Sequence, residues 1–209
     1  MKGDGALDRY ALRRLVRQAG ERLKAAGVAS SEHDARALAE WLLGRPLPLA
    51  DGADAAFTAA YAQALRRREA REPLQRITGR MFFRGLELEC RPGVFIVRPE
   101  TEVVAGVAIE AARARVAGEV AGGPLVVDLC TGSGAIAAAV AAEVPAARVI
   151  AVELADDAVV AAVAACERYA PGRVRVVQAD AAAPSTLAEL DGSVDVVVTN
   201  PPYVPAGAL

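Results

Sequence analysis

Apolar residues recur at helical spacing through the first third of the chain. Leu12, Leu15, Val16, Ala19 and Leu23 share one face, Arg13, Arg14, Arg17 and Arg22 take the others, and Gly27 is a stop. Ser31 followed by Asp34 resembles a capping box, after which Ala35, Leu38, Ala39 and Leu42 trace a second helix that ends at Gly44 before Arg45-Pro46. A third runs from about Asp54 through Phe57, Tyr61 and Leu65 into Arg66-Arg67-Arg68. Three short helices make a small bundle, suited to recognising a partner but thin as a free-standing core. After Pro73 the pattern changes to strands: Met81-Phe82-Phe83 and then Leu86, Leu88 and Cys90 alternate across Arg84-Gly85 as a β-hairpin, and Pro92-Gly93 turns the chain into Val94-Phe95-Ile96-Val97. Arg98-Pro99-Glu100-Thr101-Glu102 reads as a helix start with acids where the macrodipole favours them, and Val104, Val107, Ala108 and Ala111 carry that helix towards Val116. From Leu125 strands and helices alternate. Leu125 to Leu129, Val149 to Val152, Val174 to Gln178 and Val194 to Thr199 are the strands, with helices over Ala135 to Val144 and Asp156 to Tyr169. Such alternation predicts an α/β fold with right-handed crossovers and a mostly parallel sheet with helices on both faces. The predicted organisation is a helical domain over 1–72, a hairpin linker over 73–100 and an α/β domain over 101–209.

Composition narrows the class. With 209 residues, 54% of them apolar, and a net charge of −2, the chain is expected to form a compact soluble fold. The apolar runs are broken by Arg, Glu or Asp before reaching the ~20 residues that span a bilayer. The start, Met1-Lys2-Gly3-Asp4-Gly5, leads into no signal-peptide core, so a cytoplasmic protein is expected. Cys90, Cys130 and Cys166 are odd in number and widely spaced, which fits reduced thiols better than a disulfide or zinc framework. His33 is the only histidine, which argues against a His-based triad or metal site. Charge is shared unevenly: residues 1–80 carry 15 Lys or Arg against 10 Asp or Glu, and residues 81–209 carry 9 against 16. A solvated helical surface is the ordinary explanation of the basic front, and Trp41 reads as a core or seam aromatic.

Candidate chemistry collects at the strand ends. Val196, Val197 and Val198 form a β-branched run fit for a buried parallel strand, and Pro201 and Pro202 stop it at once. Proline fixes its own φ and pushes the residue before it into extended geometry, so the Asn200 amide is held at the strand's carboxyl end, where open α/β sheets keep their ligands. An Asn-Pro-Pro alone is equally a plain strand terminator. After the first sheet strand, Asp128-Leu129-Cys130-Thr131-Gly132-Ser133-Gly134 opens a helix, and its glycines permit a tight turn and close backbone approach by a ligand. A dinucleotide fingerprint would need glycine at 137, which is Ala137, and no Gly-Lys-Ser/Thr phosphate loop is present. The next strand ends supply Glu153, able to accept from both ribose hydroxyls of a nucleoside, and Asp180, able to accept from an exocyclic amine while Ala181 meets the ring face. Each acid singly could be a helix cap. Four successive strand ends carrying this set read together as a site for a nucleoside without a phosphate cradle, for which S-adenosylmethionine is the natural candidate.

The run Asp128 to Ile136, with Val152-Glu153, Asp180 and Asn200-Pro201-Pro202-Tyr203, resembles the class I S-adenosylmethionine-dependent methyltransferases that methylate planar nitrogens. Glu72-Pro73-Leu74-Gln75-Arg76-Ile77-Thr78-Gly79, Phe82-Phe83 with Gly85, and Pro92-Gly93 through Arg98 to Glu102 are similar to the linker of the PrmC/HemK family of protein-(glutamine-N5) methyltransferases. The resemblance covers nearly the whole chain. It implies a Rossmann-like domain behind a substrate-recognition bundle, and peptide chain release factors as protein substrate, methylated on the glutamine of Gly-Gly-Gln. A monomer is expected, with no membrane and no direct nucleic acid partner. Cofactor contacts are expected from Cys130, Thr131, Gly132, Ser133, Gly134, Glu153, Asp180, Ala181 and Asn200, and catalytic roles from Asn200, Pro201, Pro202 and Tyr203. In this scheme the Asn200 oxygen and the Pro201 carbonyl accept the two amide hydrogens of the substrate while Tyr203 packs over its plane. Cys130 stands where the family often has Gly, Val97 where it often has Pro, and Ala181 where it often has an aromatic. The family's sheet has seven strands and four are readable here, so roughly 60 to 70 residues of C-terminal structure are expected to be missing. Two alternatives stay open: a methyltransferase of exocyclic base amines in DNA or RNA, disfavoured by the acidic balance of 81–209 and 4% aromatics, and an inactive fragment with an unprotected sheet edge.

Overall fold

Asp8 closes a two-residue strand, Leu7–Asp8 (β1), and its carboxylate accepts from the Tyr10 and Ala11 amides to start helix Arg9–Ala25 (α1). The computed structural model describes residues 6–117 and 122–201. The chain divides into two units, residues 1–79 and 80–209.

In the first unit α1 ends where Gly27 turns left-handed and the Val28 amide reaches back to the Leu23 carbonyl. Helices Ser31–Leu43 (α2) and Ala55–Glu69 (α3) follow, and between them Gly52–Ala53 (β2) pairs antiparallel with β1. Asp54 caps α3 by accepting from the Phe57 amide at 2.7 Å. The bundle core is formed by Leu12, Leu23, Leu38, Tyr61 and Leu65, with the Tyr61 hydroxyl donating to the Ala35 carbonyl. The expected capping box does not form: Ser30 occupies the cap position without a side-chain bond, and Asp34 is buried against α3, where it accepts from Arg68 at 2.7 Å. A charge-assisted bond to guanidinium in a half-dry interface outcompetes a backbone cap for that carboxylate. The segment after Pro73 opens with a short helix, Leu74–Thr78 (α4), whose Ile77 joins the bundle core before Gly79 stops it.

The second unit begins with the hairpin Arg80–Phe83 (β3) and Leu86–Glu89 (β4), joined by Arg84 and Gly85, both at positive φ as a two-residue hairpin turn requires. Residues 94–97 form no strand. Helix Thr101–Ala117 (α5) leads to the parallel elements: Leu125–Leu129 (β5), Ala135–Glu143 (α6), Arg148–Glu153 (β6), Asp156–Tyr169 (α7), Val174–Gln178 (β7) and Val196–Thr199 (β8). Strand order is β7-β6-β5-β8, all parallel.

Among the described residues the expected helical cover on both faces is found on one. Side chains alternate along each strand, so Val126, Val149, Ala151 and Val198 pack with α5, α6 and α7, while Leu125, Val127, Ile150 and Val152 face the other way. The connections β5 to β6 and β6 to β7 step in one direction, so right-handed crossovers lay α6 and α7 on the same side. The step from β7 back across to β8 reverses direction and puts its connection on the opposite face. That connection, residues 179–195, holds Pro184 and a left-handed Gly192 and yields only a three-residue 3-10 turn, Ala188–Leu190, which covers the face with Leu187 and Leu190.

Candidate functional site

Reversal of strand order makes a crevice between the carboxyl ends of β5 and β8, the switch point at which open α/β sheets bind ligands. On one wall, Cys130 leaves β5 in a left-handed conformation, the Thr131 amide donates to the Val152 carbonyl at 3.0 Å, and Gly132 and Gly134 both take positive φ. The two glycines serve different ends. A Cβ on Gly134 would lie 2.8 Å from Ala162 Cα, so the start of α6 can pack against α7 only there; a Cβ on Gly132 would meet nothing within 4 Å, so that turn faces open space.

Asp128 lies fully buried beneath this turn. One carboxylate oxygen accepts from the Thr131 hydroxyl and from the Ala137 amide at 3.1 Å, tying β5 to the first turn of α6. Its other oxygen and the Ser133 hydroxyl are buried without partners among the described residues. Burial pushes the Asp128 carboxyl up to about 7, against the lowering by its two hydrogen bonds. Burial also raises the Cys130 thiol, as do the nearby Glu153 and Asp128 charges, while a hydrogen bond with Thr199 acts the other way.

Glu153 ends β6 and is used more fully than an acid waiting for a diol. One oxygen accepts from the Gly132 amide at 2.8 Å, and the other from the Leu154 and Ala155 amides at 2.9 and 3.0 Å. It therefore clamps the glycine turn to the next strand end while keeping lone pairs for a further donor. Beyond β7, exposed Asp180 accepts from the Ala182 amide at 2.9 Å, and half-buried Ala181 sits over the second face of the sheet.

On the opposite wall, Leu129 of β5 is in register with Thr199 of β8, whose hydroxyl donates to the Leu129 carbonyl at 2.9 Å. Asn200 thus emerges beside Cys130, at the root of the glycine turn. Its side-chain Nδ2 donates to the Thr101 hydroxyl at 2.9 Å, so its Oδ1 is turned away from α5. Pro201 is exposed; Pro202 and Tyr203 lie outside the described residues. The structure brings Asn200 and residues 130–134 to one crevice, with Glu153 closing the glycine turn and Asp180 at the next strand end. Thr101 was missed by the sequence reading, which took it only as part of a helix start. A buried acid, two carboxylates and a neutral amide acceptor make the crevice electronegative, which suits hydroxyl and amine donors and a cationic ligand. Among the described residues no group of His, Cys, Asp or Glu could hold a metal ion, and no helix is long and apolar enough to cross a membrane.

Comparison with known proteins gives two domain matches: the PrmC N-terminal domain over residues 14–79 and a methyltransferase domain over residues 126–206. The chain is 52% identical over 192 residues to a release factor glutamine methyltransferase of Streptomyces coelicolor, covering 91% of this chain and 65% of that protein. It is 44% identical over 200 residues to a release factor glutamine methyltransferase of Mycolicibacterium smegmatis, covering 94% of this chain and 68% of that protein. A 4-amino-L-phenylalanine/4-methylamino-L-phenylalanine methyltransferase of Streptomyces pristinaespiralis is 48% identical over 145 residues, 68% of this chain and 47% of that protein. The chain spans about two thirds of the length of the release factor methyltransferases it matches.

Proposed function

Because the chain belongs to the release factor glutamine methyltransferase family, we propose that it methylates the side-chain amide nitrogen of the Gly-Gly-Gln glutamine in peptide chain release factors, using S-adenosylmethionine. The observation that carries this reading is the Asn200 amide, fixed through Nδ2 at the switch point, with no described residue bonded to its oxygen, which leaves that acceptor for an N–H donor.

Residues of the crevice fit the cofactor. Open space over Gly132, a carboxylate at Glu153 that retains acceptor capacity, and an exposed acid at Asp180 suit a ribose, an adenine amine and a sulfonium charge. When bound, S-adenosylmethionine supplies a methyl carbon and keeps the bonding electron pair on its sulfur. An amide nitrogen is a poor nucleophile because its lone pair is delocalised into the carbonyl, so alignment is the main contribution the protein can make. Asn200 Oδ1 and the Pro201 carbonyl accept the two substrate N–H groups and hold the nitrogen lone pair towards the cofactor side. As the new N–C bond forms, positive charge grows on nitrogen and these acceptors hold it more tightly, a preference for the transition state over the ground state. The surplus N–H proton then leaves to solvent along the exposed Asn200 edge.

Labelled methyl transfer onto a release factor tests the reading. The wild-type chain is expected to label the glutamine, and Asn200→Ala to lose about 100- to 1,000-fold in kcat. Near-native turnover by the variant, or label appearing on DNA or RNA in place of the protein, overturns it. The second reading, methylation of a small aromatic amine, is favoured by the 48% identity to the aminophenylalanine enzyme. The match of the front unit to the PrmC N-terminal domain favours a protein substrate, and offering both acceptors in one assay separates the two.

A further inference from the structure

We propose that Thr101 is a positioning residue for methyl transfer, anchoring the Asn200 amide in the plane from which its oxygen can receive a substrate N–H. The inference rests on the role proposed above for Asn200.

A carboxamide is close to symmetric in shape but opposite in chemistry at its two ends. Turned by 180° about its last side-chain bond, Asn200 would present Nδ2–H where its oxygen belongs. Two facing NH2 groups cannot hydrogen-bond, and the substrate nitrogen would be repelled rather than held. The flat, two-fold torsion of an asparagine side chain has little preference of its own between these states, and Asn200 is exposed, so its packing does not decide either. What holds the amide plane is the bond at 2.9 Å from Nδ2 to Thr101 Oγ1; a hydroxyl can serve either amide end, so the anchor fixes the plane and the substrate's N–H donors favour the state with the oxygen outwards. In that state the bond occupies the donor end.

Thr101 is itself held firmly. It is 8% exposed at the first position of α5, and its amide donates to the Arg98 carbonyl at 3.0 Å. The neighbouring Glu102 is anchored to the hairpin turn: its carboxylate accepts from the Arg84 amide at 2.9 Å and its carbonyl from the Arg84 guanidinium at 3.4 Å. That guanidinium also donates to both oxygens of Glu143, at 2.6 and 2.9 Å, at the end of α6. The hydroxyl therefore stands on a frame built from the hairpin, α5 and α6. Such a frame can hold an orientation that a short strand end could not hold alone, which is how supporting contacts keep a site within productive geometry.

Three variants separate this role from a merely structural one. Thr101→Val keeps shape and removes the acceptor; it is expected to lower kcat about 10- to 100-fold while KM and the affinity for S-adenosylmethionine move less than about twofold, the pattern of an interaction that matters in the transition state. Thr101→Ser restores the hydroxyl and is expected to recover kcat to within about threefold of wild type. In an Asn200→Ala background, Thr101→Val is expected to have no further effect, because a residue acting only through Asn200 cannot be missed once Asn200 is gone. Unchanged kcat in Thr101→Val, failure of Ser to rescue, or a full additional loss in the Asn200→Ala background would each overturn the proposal. A readout free of turnover keeps it separable from the assigned reaction. The side-chain amide resonances of Asn200, identified by their loss in Asn200→Ala, are expected to shift and exchange faster in Thr101→Val. If they do so while wild type methylates no release factor, the reaction assignment fails and the orienting role stands. If they do not move, the orienting role fails.

Discussion

Asp128 is a carboxyl group whose charge has little to sit against. Its folded value of about 7 lies above the ordinary 3.8, so the folded state binds this proton more tightly than the unfolded state. The sign follows: its contribution to stability is full below about pH 4 and is lost as pH rises towards 7, beyond which nothing more is lost. Asp128→Asn cannot titrate, so relative to wild type it is expected to gain roughly 2 to 3 kcal/mol between pH 5 and pH 8. Urea midpoints of both proteins at the two pH values measure this, and parallel pH profiles would refute it. Cys130, two residues on, holds a φ of 57°, a region that suits glycine. Cys130→Gly is expected to raise stability by up to about 1 kcal/mol, less what the Thr199 hydrogen bond contributes; a clear loss in the same denaturation would show that bond outweighs the strain. At this scale the sequence was readable where the residue type itself carries the geometry, as at Gly132 and Gly134. Thr101 and Asn200 meet across 99 positions of chain through two side chains. A contact of that kind leaves no periodicity to find.

Among elements, the hairpin shows how an edge is docked. Glu87 faces Phe82 across the pair, yet its amide donates to the Tyr169 hydroxyl at 2.8 Å and its carbonyl accepts from that same hydroxyl at 2.8 Å. One phenol on α7 thus satisfies both backbone groups of Glu87 on the edge of β4. Tyr169→Phe removes both bonds while leaving the ring, and is expected to cost about 1 to 2 kcal/mol with faster hydrogen exchange at the Glu87 amide; unchanged exchange there would mean water replaces the hydroxyl without loss. Gly134→Ala acts through packing and backbone together, since the new methyl would approach Ala162 within 2.8 Å at a φ of 77°. Strand positions were legible because β-branched runs bounded by Gly and Pro have few other uses. Which face each connection covers was not, because it depends on the direction of each crossover, and direction is fixed by strand order. The Asp34 misreading has a similar root: a capping box is a local pattern, and Arg68 reaches Asp34 from another helix.

For the whole molecule, the front unit spends acids as fast as bases. Arg9, Arg22, Arg36, Arg67 and Arg68 are each ion-paired to an acid of the same unit, and since each pair removes one charge of either sign, the basic surplus of that part of the chain stands as the sequence has it. The two units carry their own buried clusters, Leu12 to Ile77 in the first and Met81 to Val198 in the second. Every proposed cofactor residue belongs to the second. A ligand that binds only the folded state stabilises it by about 2.7 kcal/mol at a hundredfold excess over Kd, and this gain goes first to the structure that forms its site. S-adenosylmethionine is therefore expected to slow hydrogen exchange around 128–137, 153–155 and 180–183, and through the core they border, while α1, α2 and α3 keep the rates they have without ligand. Equal slowing in those helices would show that both cores open as one cooperative unit. Absence of slowing anywhere, at concentrations that saturate a related methyltransferase, would mean that the glycine turn, already clamped by Glu153 in the free protein, does not open to the cofactor, and the electronegative crevice would then need another occupant.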